Sequence, residues 1–157
     1  MDPRKLEMTE LMTPDMANFS GKVHGGALLS LLDRVAFSCA SRFSQRYAVT
    51  LSVDQVVFKE PIEVGELVSF MASVNQAGRT SMEIGIRVEA ENIRTGRRRH
   101  TNSCYFTMVA VDDEGRPVEV PELRVLTQEE ARRQRAAVLR KELRKRFSVE
   151  MEQAAKG

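Results

Sequence analysis

From Gly25 to about Phe43 the apolar residues repeat with the period of an α-helix, nearly all the way round. Leu28, Leu32, Val35, Cys39 and Phe43 mark one face, and Leu29, Leu31, Ala36, Phe37 and Ala40 extend it. Such a helix is predicted to be wrapped by protein rather than to lie on a surface. Just past it the period drops to two. "YAVTLSVDQVVF" alternates over Val49, Leu51 and Val53 before a break near Gln55, read as a bulge. "ELVSFMASVNQA" and "MEIGIRVEAEN" follow, the latter with Met82, Ile84, Ile86 and Val88 on one face and Glu83, Arg87, Glu89 and Glu91 on the other. "RRHTNSCYFTMVAV" is the last long strand. The connectors "KEPIEVGE", "GRTS" and "RTGR" read as turns, so the strands form an antiparallel sheet that needs a cover. A curved sheet wrapped round one central helix, an α+β fold, satisfies both demands.

Before the helix stand a loosely alternating strand at Lys5 to Met12 and the loop "TPDMANFSGK". After the sheet, "PVEVPELRVL" is a connector, and "TQEE" at Thr127 to Glu130 fits a capping box that opens a helix to about Phe147. Its thin apolar stripe (Ala131, Ala136, Val138, Leu139, Leu143, Phe147) suggests a solvated helix packed lightly on the body or on a neighbouring subunit. The expected division is a domain at 1–126 and a basic helical extension at 127–157.

The longest apolar run, Ala27 to Leu32, is far short of the roughly 20 residues a membrane span needs, and "MDPRKLEMTELM" has no apolar signal core. The expectation is a cytoplasmic protein without a membrane partner. Cys39 and Cys104 sit in apolar patterns and read as buried free thiols; His24 and His100 have no second ligand at zinc spacing, so no metal is expected. A net charge of +2 does not by itself imply nucleic acid. The basic tail lacks interleaved aromatics and any reading motif, so no nucleic-acid partner is expected.

The stretch "NFSGKVHGGALLSLLD" carries the chemistry. An ionised carboxylate on so apolar a helix is rarely buried without a partner, and among the helical neighbours of Asp33 only Ser30 offers a hydrogen bond. Asp33 therefore faces an internal cleft or pairs with a group outside the helix; a structural tie to a loop is the bland alternative. Gly25 and Gly26 stand at the helix N-terminus, where amide hydrogens are unpartnered, the dipole is positive and no Cβ blocks approach. That donor set can stabilise an oxyanion, with Asn18 as a further amide donor. Gly25 and Asp33 lie about 12 Å apart along the helix axis and about 80° round it. One helix cannot bring both onto one carbonyl, which hints at a site shared by two protomers.

The same stretch resembles the signature of hotdog-fold acyl-CoA thioesterases. "VTLSVDQVVFKEPIEVGELV", "GRTSMEIGIRVEAE" and "FTMVAVDDEGRPVEVP" resemble the branch containing YciA and the brain-type acyl-CoA hydrolases. The resemblance covers roughly Met8 to Pro121. It implies a curved sheet around a long helix, a homodimer with sheets joined edge to edge, active sites at the dimer interface, and assembly into a tetramer or hexamer. It implies hydrolysis of acyl-CoA to a free acid and CoA, with CoA entering only as part of substrate and product. By position, Asp33 is the catalytic acid, Asn18 the polar helper and Gly25 the oxyanion amide. His24 and Gly26 belong to the substrate-binding loop, His24 chiefly as its structural anchor. Arg79, Thr80 and Ser81 of "GRTS" would meet the nucleotide, with Lys59 and Arg97 to Arg99 as weaker candidates. A hydratase reading is poor, because Asp15 lies nine residues before His24 and His100 lacks a partner acid. The competing reading is a non-catalytic acyl-CoA or CoA sensor.

Overall fold

The computed structural model describes residues 1–157. The elements run β1 (Lys5–Leu11), a single 3-10 turn (Pro14–Met16), α1 (Gly25–Ser44), β2 (Tyr47–Val53), β3 (Leu67–Ala77), β4 (Ser81–Glu91), β5 (Arg98–Val111) and α2 (Gln128–Lys156). The strands form one sheet in the order β1-β3-β4-β5-β2, antiparallel throughout. This is the hotdog arrangement, a curved sheet around a long helix.

Alternation builds the core. Met82, Ile84, Ile86 and Val88 of β4 and Cys104, Phe106, Met108 and Ala110 of β5 are buried on the concave side. They meet Leu28, Leu31, Leu32, Val35, Ala36, Cys39, Ala40 and Phe43 of α1. The helix ends where Gln45 turns left-handed at φ 56° and its amide caps the Ser41 carbonyl.

Four expectations are corrected. "KEPIEVGE" is not a tight turn: β2 pairs with β5 and β3 with β1 and β4, so the Asp54–Glu66 segment crosses the sheet. Buried Ile62 anchors it, and the Ile62 carbonyl accepts from the Val23 amide in front of α1. The bulge falls between Thr50 and Ser52, not near Gln55, because the strand already ends at Val53. Nor is α1 wrapped on all sides: Leu29, Asp33 and Phe37 stand on an exposed stripe. Tyr47, Val49, Leu51 and Val53 of the edge strand β2, and Phe58 beyond it, are exposed as well, so this edge of the sheet is rich in exposed apolar side chains. Phe37 stacks on Tyr47 at 6.0 Å between centroids.

The last correction concerns α2, which runs to Lys156 rather than Phe147; no breaker intervenes before Gly157. Thr127 accepts from the Glu130 amide as the capping box requires, while Glu130 reaches back to the Leu126 amide. Leu139, Leu143 and Phe147 are all exposed, and the face turned to the body holds the buried Ala137 and the half-buried Arg140 and Arg144. Arg140 and Arg144 bind Glu83 and Asp54 on the convex side of the sheet. Glu83, placed by alternation on the solvent face of β4, is thereby only 3% exposed. No helix is long and apolar enough to cross a membrane.

Candidate active site

The helix start is fixed by His24. Its Nδ1 accepts from the Ala27 amide at 3.0 Å, an N-cap in which the ring is an acceptor. Gly26 makes room for that ring, since a Cβ there would lie 3.2 Å from His24 Nδ1. Both residues thus shape the helix entry. The Gly25 amide precedes the first intrahelical bond and donates to no backbone carbonyl, so it remains an open donor at the positive end of α1. A Cβ on Gly25 would lie 3.3 Å from the Phe58 ring, which flanks this amide.

Asn18 holds the preceding loop through its side-chain oxygen, which accepts from the Ser20 amide (2.9 Å), the Ser20 hydroxyl (2.7 Å) and the Lys22 amide (3.2 Å). Its Nδ2 is left as the donor available to a ligand. The loop is closed by the Lys22–Glu63 ion pair.

Asp33 stands two turns into α1, exposed within one protomer, and finds its partner outside the helix. Thr50 Oγ1 of β2 donates to Asp33 Oδ1 at 2.5 Å. Thr50 was not singled out in the sequence; a hydroxyl in this strand is no signal by itself, since Ser52 carries one too. Leu29 and Phe37, one helical turn before and after Asp33, are also exposed, and Phe37 stacks on Tyr47 of β2.

Arg79, Thr80 and Ser81 lie at the β3–β4 turn, with Arg79 exposed beside Glu119 at 3.8 Å. Ser81 pairs with Val109 and Tyr47 with Val111, whereas Phe58 marks the Gly25 end. Within one protomer the turn and the Gly25 amide are therefore at opposite ends of the sheet. Of the weaker basic candidates, Arg98 is paired to Glu89 and Glu91, and Arg99 to Glu60 and Glu66. The thiols of Cys39 and Cys104 are pushed up to about 12 by burial and offer no nucleophile. No group of three or more His, Cys, Asp or Glu side chains is placed to hold a metal ion.

Residues 20–97 match the family model described as Thioesterase superfamily. Protein VdlD of Helicobacter pylori is 51% identical over 145 residues, 92% of this chain and 83% of that protein. The uncharacterized acyl-CoA thioester hydrolase YkhA of Bacillus subtilis is 35% identical over 90% of this chain and 82% of its own length. The chain belongs to the thioesterase superfamily.

Solved relatives agree in fold along nearly the whole chain. An apo-hexameric acyl-CoA thioesterase superposes with a TM-score of 0.89 at 37% identity, covering 93% of this chain and 94% of that one. The acyl-CoA hydrolase of Staphylococcus aureus, solved with butyryl-CoA, CoA and CoA disulfide, superposes with a TM-score of 0.87 at 28% identity, covering 98% and 94%. That hydrolase has also been solved with an asparagine, an aspartate and a threonine each replaced by alanine. Those three residues are spaced 15 and 17 apart, the spacing of Asn18, Asp33 and Thr50.

Proposed function

We propose that this protein is an acyl-CoA thioesterase whose active site is completed between two protomers. The observation that carries the reading is the Asp33 carboxylate, held by Thr50 on an exposed apolar face of a thioesterase-superfamily fold. A purely structural aspartate would be tied into a loop or the core, not displayed beside an unpaired edge strand.

Symmetry supplies the missing half. If two copies pair through the edges of their β2 strands about a twofold axis, the strands run antiparallel. The Tyr47 end of one copy then lies beside the Val53 end of the other. That operation carries the partner's β3–β4 turn towards the Phe58 and Gly25 end of the first copy. It also covers exposed apolar side chains at this edge, Leu29, Phe37, Tyr47 and Leu51 among them.

In the assembled site, the Gly25 amide and the dipole of α1 polarise the thioester carbonyl and stabilise the tetrahedral oxyanion. Asp33 of the other protomer removes a proton from the attacking water as general base, or attacks the carbonyl to form a mixed anhydride. Both routes expel CoA thiolate, and water resolves the anhydride in the second. Thr50 orients the carboxylate, and Asn18 Nδ2 orients the water or the carbonyl. Arg79, Thr80 and Ser81 meet the phosphates of CoA, while His24 and Gly26 keep the helix entry open for the thioester. Residues 1–126 form the thioesterase unit, with 127–157 appended. Dimers assemble further into a tetramer or hexamer, as the hexameric relatives favour. Two unpaired cysteines suit a reducing, cytoplasmic setting.

Thioester hydrolysis across acyl-CoAs from acetyl to palmitoyl, followed by CoA release, tests the reading. Wild type is expected to turn over at least one of them, and Asp33→Asn, still folded, to lose about a hundredfold or more in kcat. Equal rates for the two proteins would remove Asp33 from the chemistry. Tight acyl-CoA binding without CoA release would instead favour a sensor.

A further inference from the structure

The basic C-terminal helix makes no hydrogen bond or ion pair with Asn18, Gly25, Asp33 or Thr50, yet it grips the chain just past the strand that carries Thr50. β2 is an edge strand of seven residues, paired only with β5. Its bulge comes directly after Thr50, so that Thr50 pairs with Met108 and Ser52 with Thr107. A bulged edge strand can relieve its extra residue by slipping one position, and that slip would turn Thr50 away from Asp33.

Two contacts at Asp54, the first residue past β2, oppose the slip. Its amide donates to the Tyr105 carbonyl at 3.0 Å. Both oxygens of its carboxylate accept from Arg144 Nη1 of α2, at 3.1 and 2.9 Å. Arg144 is itself held in place by the turn before it. Arg140 donates to Glu83 through Nε at 3.0 Å and Nη2 at 2.6 Å, and its guanidinium lies 3.6 Å from the Tyr105 ring centroid. Asn75 Nδ2 gives the buried Glu83 a further bond at 3.2 Å. A buried carboxylate with so specific a partner fixes the axial position of the helix, because any shift would strand a charge. Asp54 also lies four residues after Thr50 and four before Phe58, the ring that flanks Gly25.

We infer that α2 is a positioning element of the thioester site: the Arg144–Asp54 ion pair locks the register of β2 and with it the hydroxyl of Thr50. The inference rests on the reading of Asp33 and Thr50 as site residues. Arg144 and Asp54 are positioning residues; neither touches the reacting atoms.

The test uses the full chain with Arg144→Met, Arg144→Lys and, as control, Arg132→Gln. Arg132 is on the same helix but pairs only with the exposed Glu129, at 3.7 Å. Two quantities are read: kcat and KM for the best acyl-CoA, and amide hydrogen exchange in peptides covering Tyr47–Phe58 and β4. Arg144→Met should lower kcat about tenfold with KM nearly unchanged, and speed exchange in Tyr47–Phe58 while β4 stays protected. Arg144→Lys should recover part of both losses, and Arg132→Gln should match wild type. Wild-type kcat and exchange in Arg144→Met would overturn the inference, as would faster exchange spread equally over β4. If wild type hydrolyses no acyl-CoA, the functional reading fails by itself, and the exchange of Tyr47–Phe58 still decides whether the pair locks β2.

Discussion

Asp33 stands exposed on α1 and accepts a short hydrogen bond from Thr50 of the neighbouring strand. A carboxylate held by one hydroxyl retains a second oxygen for a water or a carbonyl carbon, which suits a base or nucleophile better than a full ion pair would. Thr50→Ala should therefore leave the fold intact and lower kcat by about 10- to 100-fold, the worth of a hydrogen bond of about 1.5–3 kcal/mol to a charged group. Thr50→Ser, which keeps the hydroxyl, should retain most of the activity. Steady-state hydrolysis by the two variants checks this; equal losses would place the requirement on the β-branched methyl rather than on the hydroxyl.

At the scale of elements, the site depends on how the Asp54–Glu66 crossing is pinned. Glu66 is buried, which by itself raises its carboxyl, but hydrogen bonds from Arg99 and the Glu63 amide outweigh that and hold it below the usual carboxylate range. Its contribution to stability is present above the unfolded-state pKa of about 4.3 and is lost as pH falls through the lower folded value. Thermal melts from pH 7 to pH 3 should show wild type losing stability over that window. Glu66→Gln should be less stable by about 2 kcal/mol at pH 7 and less sensitive to acid; an unchanged acid slope would mean the pair contributes nothing. The periods of the sequence located every strand and both helices, because alternation and helical repeat follow directly from which face is buried. They did not show that β2 and β3 are separated in the sheet, since a crossing and a turn have similar compositions. They also missed the docking of α2, because charged residues read as solvated when their partners, Glu83 and Asp54, are distant in the chain. Asn18, Gly25 and Asp33 were legible as candidates because each is an odd residue for its local setting. Thr50 was not, since a threonine is ordinary in a strand.

At the scale of the molecule, one protomer would hold half of the proposed site at each end of its sheet. The open amide of Gly25 lies at one end, the phosphate-binding candidates of the β3–β4 turn at the other, and an unpaired apolar face runs between them. In the proposed dimer, Asn18 and Gly25 of one copy act with Asp33 of the other. Complementation between two inactive variants tests it most directly. Asn18→Ala and Asp33→Asn, each strongly impaired alone, are mixed, allowed to exchange subunits, and assayed for CoA release. Every mixed dimer then holds one intact site and one doubly damaged site, so random exchange should restore about one quarter of wild-type activity. A mixture no more active than its components, with exchange verified by mass, would contradict the shared site and return all three residues to a single protomer.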